Sequence, residues 1–133
     1  MADFNWENYL NFAQYLIEND LTGLDEETKF RNVVSRAYYA AYHAGKQYKS
    51  TKEPEVSTGA AHEELYLFFR NLAQRYVHLS TTYNSIANDL KNLKIRRHTA
   101  DYEKNSETSF SKKDARTNYF KASGIIKKIN NLK

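Results

Sequence analysis

The 133-residue chain has no cysteine, one proline, four glycines, one methionine and one tryptophan. Without cysteine there is no thiolate nucleophile, no disulfide framework and no cysteine-ligated zinc or iron–sulfur centre. Proline and glycine fall well below the share of an average chain. Strands need tight turns and turns need these residues, so all-β and α/β architectures are not expected. No apolar run approaches the roughly 20 residues of a membrane span. Met1 to Leu10 is acidic and aromatic, without the basic start and apolar stretch of a secretory signal. The expected setting is therefore soluble and cytoplasmic. What the chain does have is aromatic bulk, with 11 Tyr and 7 Phe, which argues against disorder. Its length fits one domain over residues 1–133.

The net charge of +4 conceals a polarity along the chain. Residues 1–90 carry 8 Lys and Arg against 12 Asp and Glu, whereas residues 91–133 carry 12 against 4. A basic C-terminal third attracts phosphate backbones, although such a charge run is more often a solvated lysine-rich helix face.

Apolar spacing predicts an all-α chain of four to five helices, packed as an up-and-down bundle. The first helix, from about Asn5 to Asn19, aligns Trp6, Tyr9, Leu10, Ala13, Leu16 and Ile17, and Gly23 can follow its end in a left-handed conformation. Asp25 is a natural N-cap for the second helix, with Glu26 and Glu27 in its first turn. There Phe30, Val34, Ala37, Ala41, Ala44 and Tyr48 form a stripe reaching about Lys49. Tyr38, Tyr39 and Tyr42 occupy the side where a surface helix would carry Lys and Glu. The second helix is thus either central in the bundle or in contact with a second chain, and these three tyrosines are the candidate dimer face. Ser50 to Thr58, with Pro54, reads as a loop. A third helix from about Gly59 to Val77 presents Leu65, Phe68, Phe69, Leu72 and Tyr76. After a break at His78–Thr81, a fourth runs to about Tyr102 with Tyr83, Ile86, Leu90, Leu93, Arg97 and Ala100 in line. Arg97 therefore sits on an apolar stripe, where a charge is expensive unless paired. Glu103 to Phe110 reads as a polar loop. Ser111 and Asp114 resemble a capping box for the last helix, which aligns Ala115, Tyr119, Ala122, Ile126 and Ile129.

Two constellations could carry chemistry. Arg36 and His43 lie two helical turns apart on one side of the second helix. An arginine grips a phosphate bidentately and a histidine moves a proton near neutral pH. Together they suit cleavage of a phosphodiester through an RNA 2′-hydroxyl without metal, although a histidine beside a tyrosine-rich interface is more often a hydrogen-bonded structural residue. Arg97, His98, Asp101 and Tyr102 form the second cluster, in which His98 can reach Asp101 and Tyr102 and Arg97 can reach Asp101. Asp101 could orient His98 while Arg96 and Arg97 hold phosphate, or the group could be a helix-terminal ion pair. Lys94, Arg96, Lys112, Lys113 and Arg116 are the candidate RNA contacts, with Lys121, Lys127 and Lys128 beyond them. The four histidines, at 43, 62, 78 and 98, show no metal-ligand spacing, and no phosphate-cradling glycine loop exists, so neither metal nor cofactor is expected.

The segment Ser35-Arg36-Ala37-Tyr38-Tyr39-Ala40-Ala41-Tyr42-His43-Ala44 resembles the "RAYYAAFHA" helix of HEPN-domain proteins, particularly the small stand-alone bacterial and archaeal kind. Leu90 to Tyr102, ending Arg97-His98-Thr99-Ala100-Asp101-Tyr102, is similar to that group's "L-x-x-L-x-x-x-R-x-x-A-D-Y" segment. Phe110-Ser111-x-x-Asp114-Ala115 resembles the start of its last helix. The resemblance covers about Glu26 to Ile129. It implies a helical bundle that pairs as a homodimer, links to toxin–antitoxin, antiviral and RNA-processing systems, and, in active members, metal-independent endoribonuclease activity through an Arg-x(4–6)-His motif. Some members act beside a small nucleotidyltransferase, their motif reading R-x4-H-x-Y. On this pattern Arg97 and Tyr102 match the late-helix Arg and Tyr, and Asp101 and His98 stand in place of the His. Arg36 to His43 is a literal Arg-x6-His on the earlier helix. Two functions follow as expectations: an RNA-directed defence or toxin domain, or a non-catalytic module binding a partner protein.

Overall fold

The structure, a computed structural model, describes residues 4–53, 61–104 and 110–133. It contains α1 (Glu7–Glu18), α2 (Glu26–Ser50), α3 (Ala61–Arg75), a single 3-10 turn (Val77–Leu79), α4 (Ser80–Tyr102) and α5 (Lys112–Leu132). No strand occurs among the described residues, and no helix is long and apolar enough to cross a membrane. The expected polar connections over 54–58 and 105–109, and the expected start of the third helix at Gly59, lie outside the described residues.

The helix starts follow local chemistry. The Asp25 side chain accepts from the backbone N–H groups of Glu27 and Thr28, satisfying two of the orphan donors of α2. Ser111 and Asp114 close a reciprocal capping box at α5. Gly23 is left-handed, with φ of +84°, in the turn between α1 and α2.

The long α2 is the organising element and contacts every other helix. Its stripe is buried at Phe30, Val34, Ala37, Ala41 and Tyr48, while Ala44 is half-buried. One core cluster joins the second half of α2 to α3, α4 and α5 through Tyr48, Phe69, Ile86, Leu93 and Ile125. The other joins α1 to the start of α2, the end of α4 and the start of α5 through Leu16, Val33, Ala100 and Ala115. Removing water from these side chains supplies the favourable term that holds the bundle, roughly 2 kcal/mol for each fully buried Leu, Ile or Phe. At Gly45 the helices α2 and α3 approach so closely that a Cβ would stand 3.1 Å from Leu65 Cδ2 and 3.3 Å from Phe69 Cε2. Tyr76, expected on the buried side of the third helix, is instead exposed, because α3 ends at Arg75 and the chain changes course there.

Of the three tyrosines on the aromatic back of α2, two have their cover within the same chain. Tyr38 is 2% exposed and Tyr42 is buried as well. The lid is His62 of α3: its Nδ1 is hydrogen-bonded to the Tyr38 hydroxyl, and its ring stacks on Tyr42 with centroids 4.4 Å apart. Tyr39 remains half-buried.

Candidate functional site

Along α2, Asn32, Ser35, Arg36, Tyr39 and His43 recur at steps of 3, 1, 3 and 4, which puts them on one face. The last turn of α4 brings Asp101 and Tyr102 to that face, and the chain entering α1 brings Trp6 and Tyr9. These nine residues line one open, polar cleft of about 580 Å³. Two groups that the sequence presents as separate clusters, Arg36 with His43 and Asp101 with Tyr102, thus share a single wall.

The side chains lining the cleft hold one another. The Trp6 indole lies flat on the His43 imidazole, centroids 3.6 Å apart and planes 12° from parallel. The Arg36 guanidinium lies 5.2 Å from the centre of the Tyr9 ring, a cation–π distance. Ser35 Oγ donates to Asp101 Oδ2 at 3.3 Å. Burial pushes the His43 pKa below its ordinary value, and the positive fields of Lys46 and His62 push it the same way. The cleft thus holds, on one helix face, an imidazole that can accept a proton and a guanidinium that can grip an anion.

Arg97 and His98 fall elsewhere. Arg97 is only 9% exposed, as its place on the apolar stripe of α4 requires. Its guanidinium lies over Tyr38 at 5.5 Å and Tyr39 at 5.6 Å and pairs with Asp101 at 3.7 Å. Its Nε is buried with no hydrogen-bond partner among the described residues. His98 is exposed and packs its ring against Tyr102 at 4.9 Å. Both residues line a second cavity, between α3 and α4, rather than the cleft. Arg97 therefore stands behind the cleft, joined to it through Asp101.

The candidate RNA contacts are dispersed. Lys94 lines the second cavity. Arg96 fastens α4 to α5, lying over the Phe110 ring at 4.4 Å and 3.8 Å from Asp114. Lys112 and Lys113 are exposed in the first turn of α5, and Arg116 lines a groove between α1 and α5.

Sequence reading missed three contributors. Trp6 and Tyr9 read as core positions of α1, yet they furnish the aromatic wall of the cleft. Their signal was the crowding of aromatics ahead of Leu10. Arg31, near the start of α2, carries the third role: its Nη1 donates to the carbonyl oxygens of Thr99, Ala100 and Glu103 at 3.1, 2.9 and 2.8 Å. It thereby closes the C-terminus of α4, the turn that presents Asp101 and Tyr102. No cluster of three or more His, Asp or Glu placed to hold a metal ion occurs among the described residues.

Compared with known proteins, the chain matches no family model, no curated protein and no solved structure.

Proposed function

We propose that the Arg36–His43 cleft acts on RNA as a metal-independent endoribonuclease of the HEPN type, in the cytoplasm, within a toxin–antitoxin or antiviral defence system. The observation that supports it is the pairing on one wall of a guanidinium with an imidazole kept neutral by burial and fixed by the Trp6 stack. In this mechanism Arg36 holds the phosphate. His43 takes the proton from the ribose 2′-hydroxyl, and the 2′-oxygen attacks phosphorus. The bond to the 5′-oxygen breaks, and that oxygen takes a proton from the Tyr102 hydroxyl or from water. The products are a 2′,3′-cyclic phosphate and a 5′-hydroxyl. Tyr9 and Tyr39 offer ring faces for an unpaired base.

The homodimer belongs to this proposal. The resemblance carries it, and Tyr102, 65% exposed on the rim of the cleft, is an aromatic group that a second copy could cover. Light scattering at about 10 µM is expected to give twice the 15.6 kDa of one chain. A monomer at that concentration removes the dimer from the proposal.

The deciding experiment incubates cellular RNA in EDTA with the wild type and with Arg36→Ala, His43→Gln and Arg97→Ala, each shown to be folded by circular dichroism. The wild type is expected to cleave, leaving cyclic phosphate ends. The His43→Gln and Arg36→Ala rates are expected to fall by about 100-fold or more, the usual contribution of a general base or an anion clamp. Cleavage that persists in both overturns the assignment.

A second reading is a non-catalytic module that binds a partner such as a nucleotidyltransferase. The burial of Arg97 behind Tyr38 and Tyr39 favours it, since the arginine matching the late-helix motif then faces away from the cleft. An inactive, folded wild type that co-purifies with a nucleotidyltransferase encoded beside it would establish this reading.

A further inference from the structure

The second cavity holds about 470 Å³, within the range of small-molecule sites. It lies between α3 and α4 against Tyr38 of α2, and its lining is more apolar than polar. Leu65, Leu90 and Ile95 supply aliphatic surface, and Tyr66 an aromatic one that Lys91 and Arg70 approach at 5.4 and 5.9 Å from its centre. Around that apolar body stand Lys91, Lys94, Arg97 and His98, with Glu63 the acidic residue among the lining groups. The positive field reaches His62 on the same wall, whose imidazole is held below its ordinary pKa by burial and then by Arg97, Lys94 and Lys46.

The unusual member is Arg97. A buried guanidinium ordinarily has its donors satisfied, and one left short is costly. Here its ion pair is long, at 3.7 Å, and the paired carboxylate also receives Ser35 Oγ. Its Nε has no partner among the described residues. Two tyrosine faces lie under the guanidinium, a stacking that leaves its in-plane edge to other partners, of which Asp101 at Nη1 is the one present among the described residues. A planar fork wants a planar, bidentate acceptor. A carboxylate has that shape, and an aromatic body behind it matches the aliphatic and aromatic walls.

We infer that the cavity between α3 and α4 binds a small aromatic carboxylate, its carboxylate on Arg97 with Lys94 at the rim and its ring against Tyr66 and Leu90. This inference does not rest on the RNA reading, because the site shares no lining residue with the cleft.

The test titrates the full chain calorimetrically with biphenyl-4-carboxylate, with its uncharged carboxamide and with inorganic phosphate. The carboxylate is expected to bind at least tenfold more tightly than the carboxamide, and phosphate not to displace it. Lys94→Gln is expected to weaken binding several-fold, and Arg97→Lys, which keeps the charge but loses the fork, at least tenfold. Methyl resonances of Leu65, Leu90 and Ile95 should shift on binding. Equal affinity for acid and amide overturns the inference, as does absence of binding at about 1 mM, or resonance shifts centred on the cleft residues. Should Arg97→Lys fail to fold, Lys94→Gln and the cavity-filling Ile95→Trp decide the matter, since Lys94 is half-buried and Ile95 exposed. Undiminished binding by both overturns it.

Discussion

His43 of α2 and His62 of α3 both have pKa values lowered first by burial. In the unfolded chain each would titrate near the ordinary value of about 6.5. Between that value and the lowered ones the unfolded chain binds more protons than the folded chain, so stability rises with pH across the window. The contribution is present above about pH 6.5 and is lost as pH falls through the folded values. The melting temperature is therefore expected to drop on acidification below pH 6.5, and His62→Gln is expected to flatten that drop. A pH-independent melting temperature down to pH 5 in the wild type would refute it. The hydrogen bond to Tyr38 fits this sense, because burial holds the Tyr38 phenol above its ordinary range, so its hydroxyl donates and a neutral His62 accepts. Among single residues, the burial of Arg97 was legible, since a charge repeating in step with Leu90 and Leu93 has nowhere else to go. The part played by His62 was not. Its partner lies 24 residues earlier, and only the packing of α3 across α2 brings them together.

At the scale of elements, the turn that carries Asp101 and Tyr102 is secured from a distance. Arg31 caps the carbonyls of α4 while its Nε and Nη2 hold the Glu27 carboxylate at 3.2 and 3.1 Å. Replacing it with alanine leaves three helix-end carbonyls without that donor. Arg31→Ala is expected to lower unfolding stability by about 2 kcal/mol, the scale of hydrogen bonds from a charged donor, read by urea denaturation. Loss of the cap also loosens Asp101 and Tyr102, so any activity of the cleft should fall further than the stability change alone accounts for. A stability change under about 0.5 kcal/mol would show that water replaces the guanidinium without penalty. The contrast with the other helix ends explains what a sequence discloses. The caps at Asp25 and Ser111 act over two or three residues and are written in adjacent letters. The Arg31 cap spans 68 residues or more and is set by how α2 and α4 pack.

The whole molecule is a bundle in which one long helix touches all the others. That centrality was half legible: aromatic residues all round α2 meant either a central helix or a second chain, and sequence periodicity does not distinguish a cover from its own chain from a cover supplied by a copy. The basic C-terminal third was legible as charge but not as a surface. Packing sends Lys94 to the α3–α4 cavity, binds Arg96 to Asp114 and Phe110, and leaves Arg116 beside α1. The two cavities lie on opposite sides of a shared partition made of Tyr38, Tyr39 and the Arg97–Asp101 pair. Each side has its own polar chemistry, and the pair is their common member.

Trp6 is the only tryptophan of the chain, and it rests on the imidazole of His43. Indole emission is quenched more strongly by a protonated imidazole than by a neutral one. The intrinsic fluorescence of the unlabelled protein thus reports the charge of one histidine out of four, at the candidate active site, with no probe attached. Acidification is expected to dim that emission with a midpoint below pH 6.5, and His43→Gln to abolish the step. Any molecule that enters the cleft and separates the two rings would announce itself in the same signal.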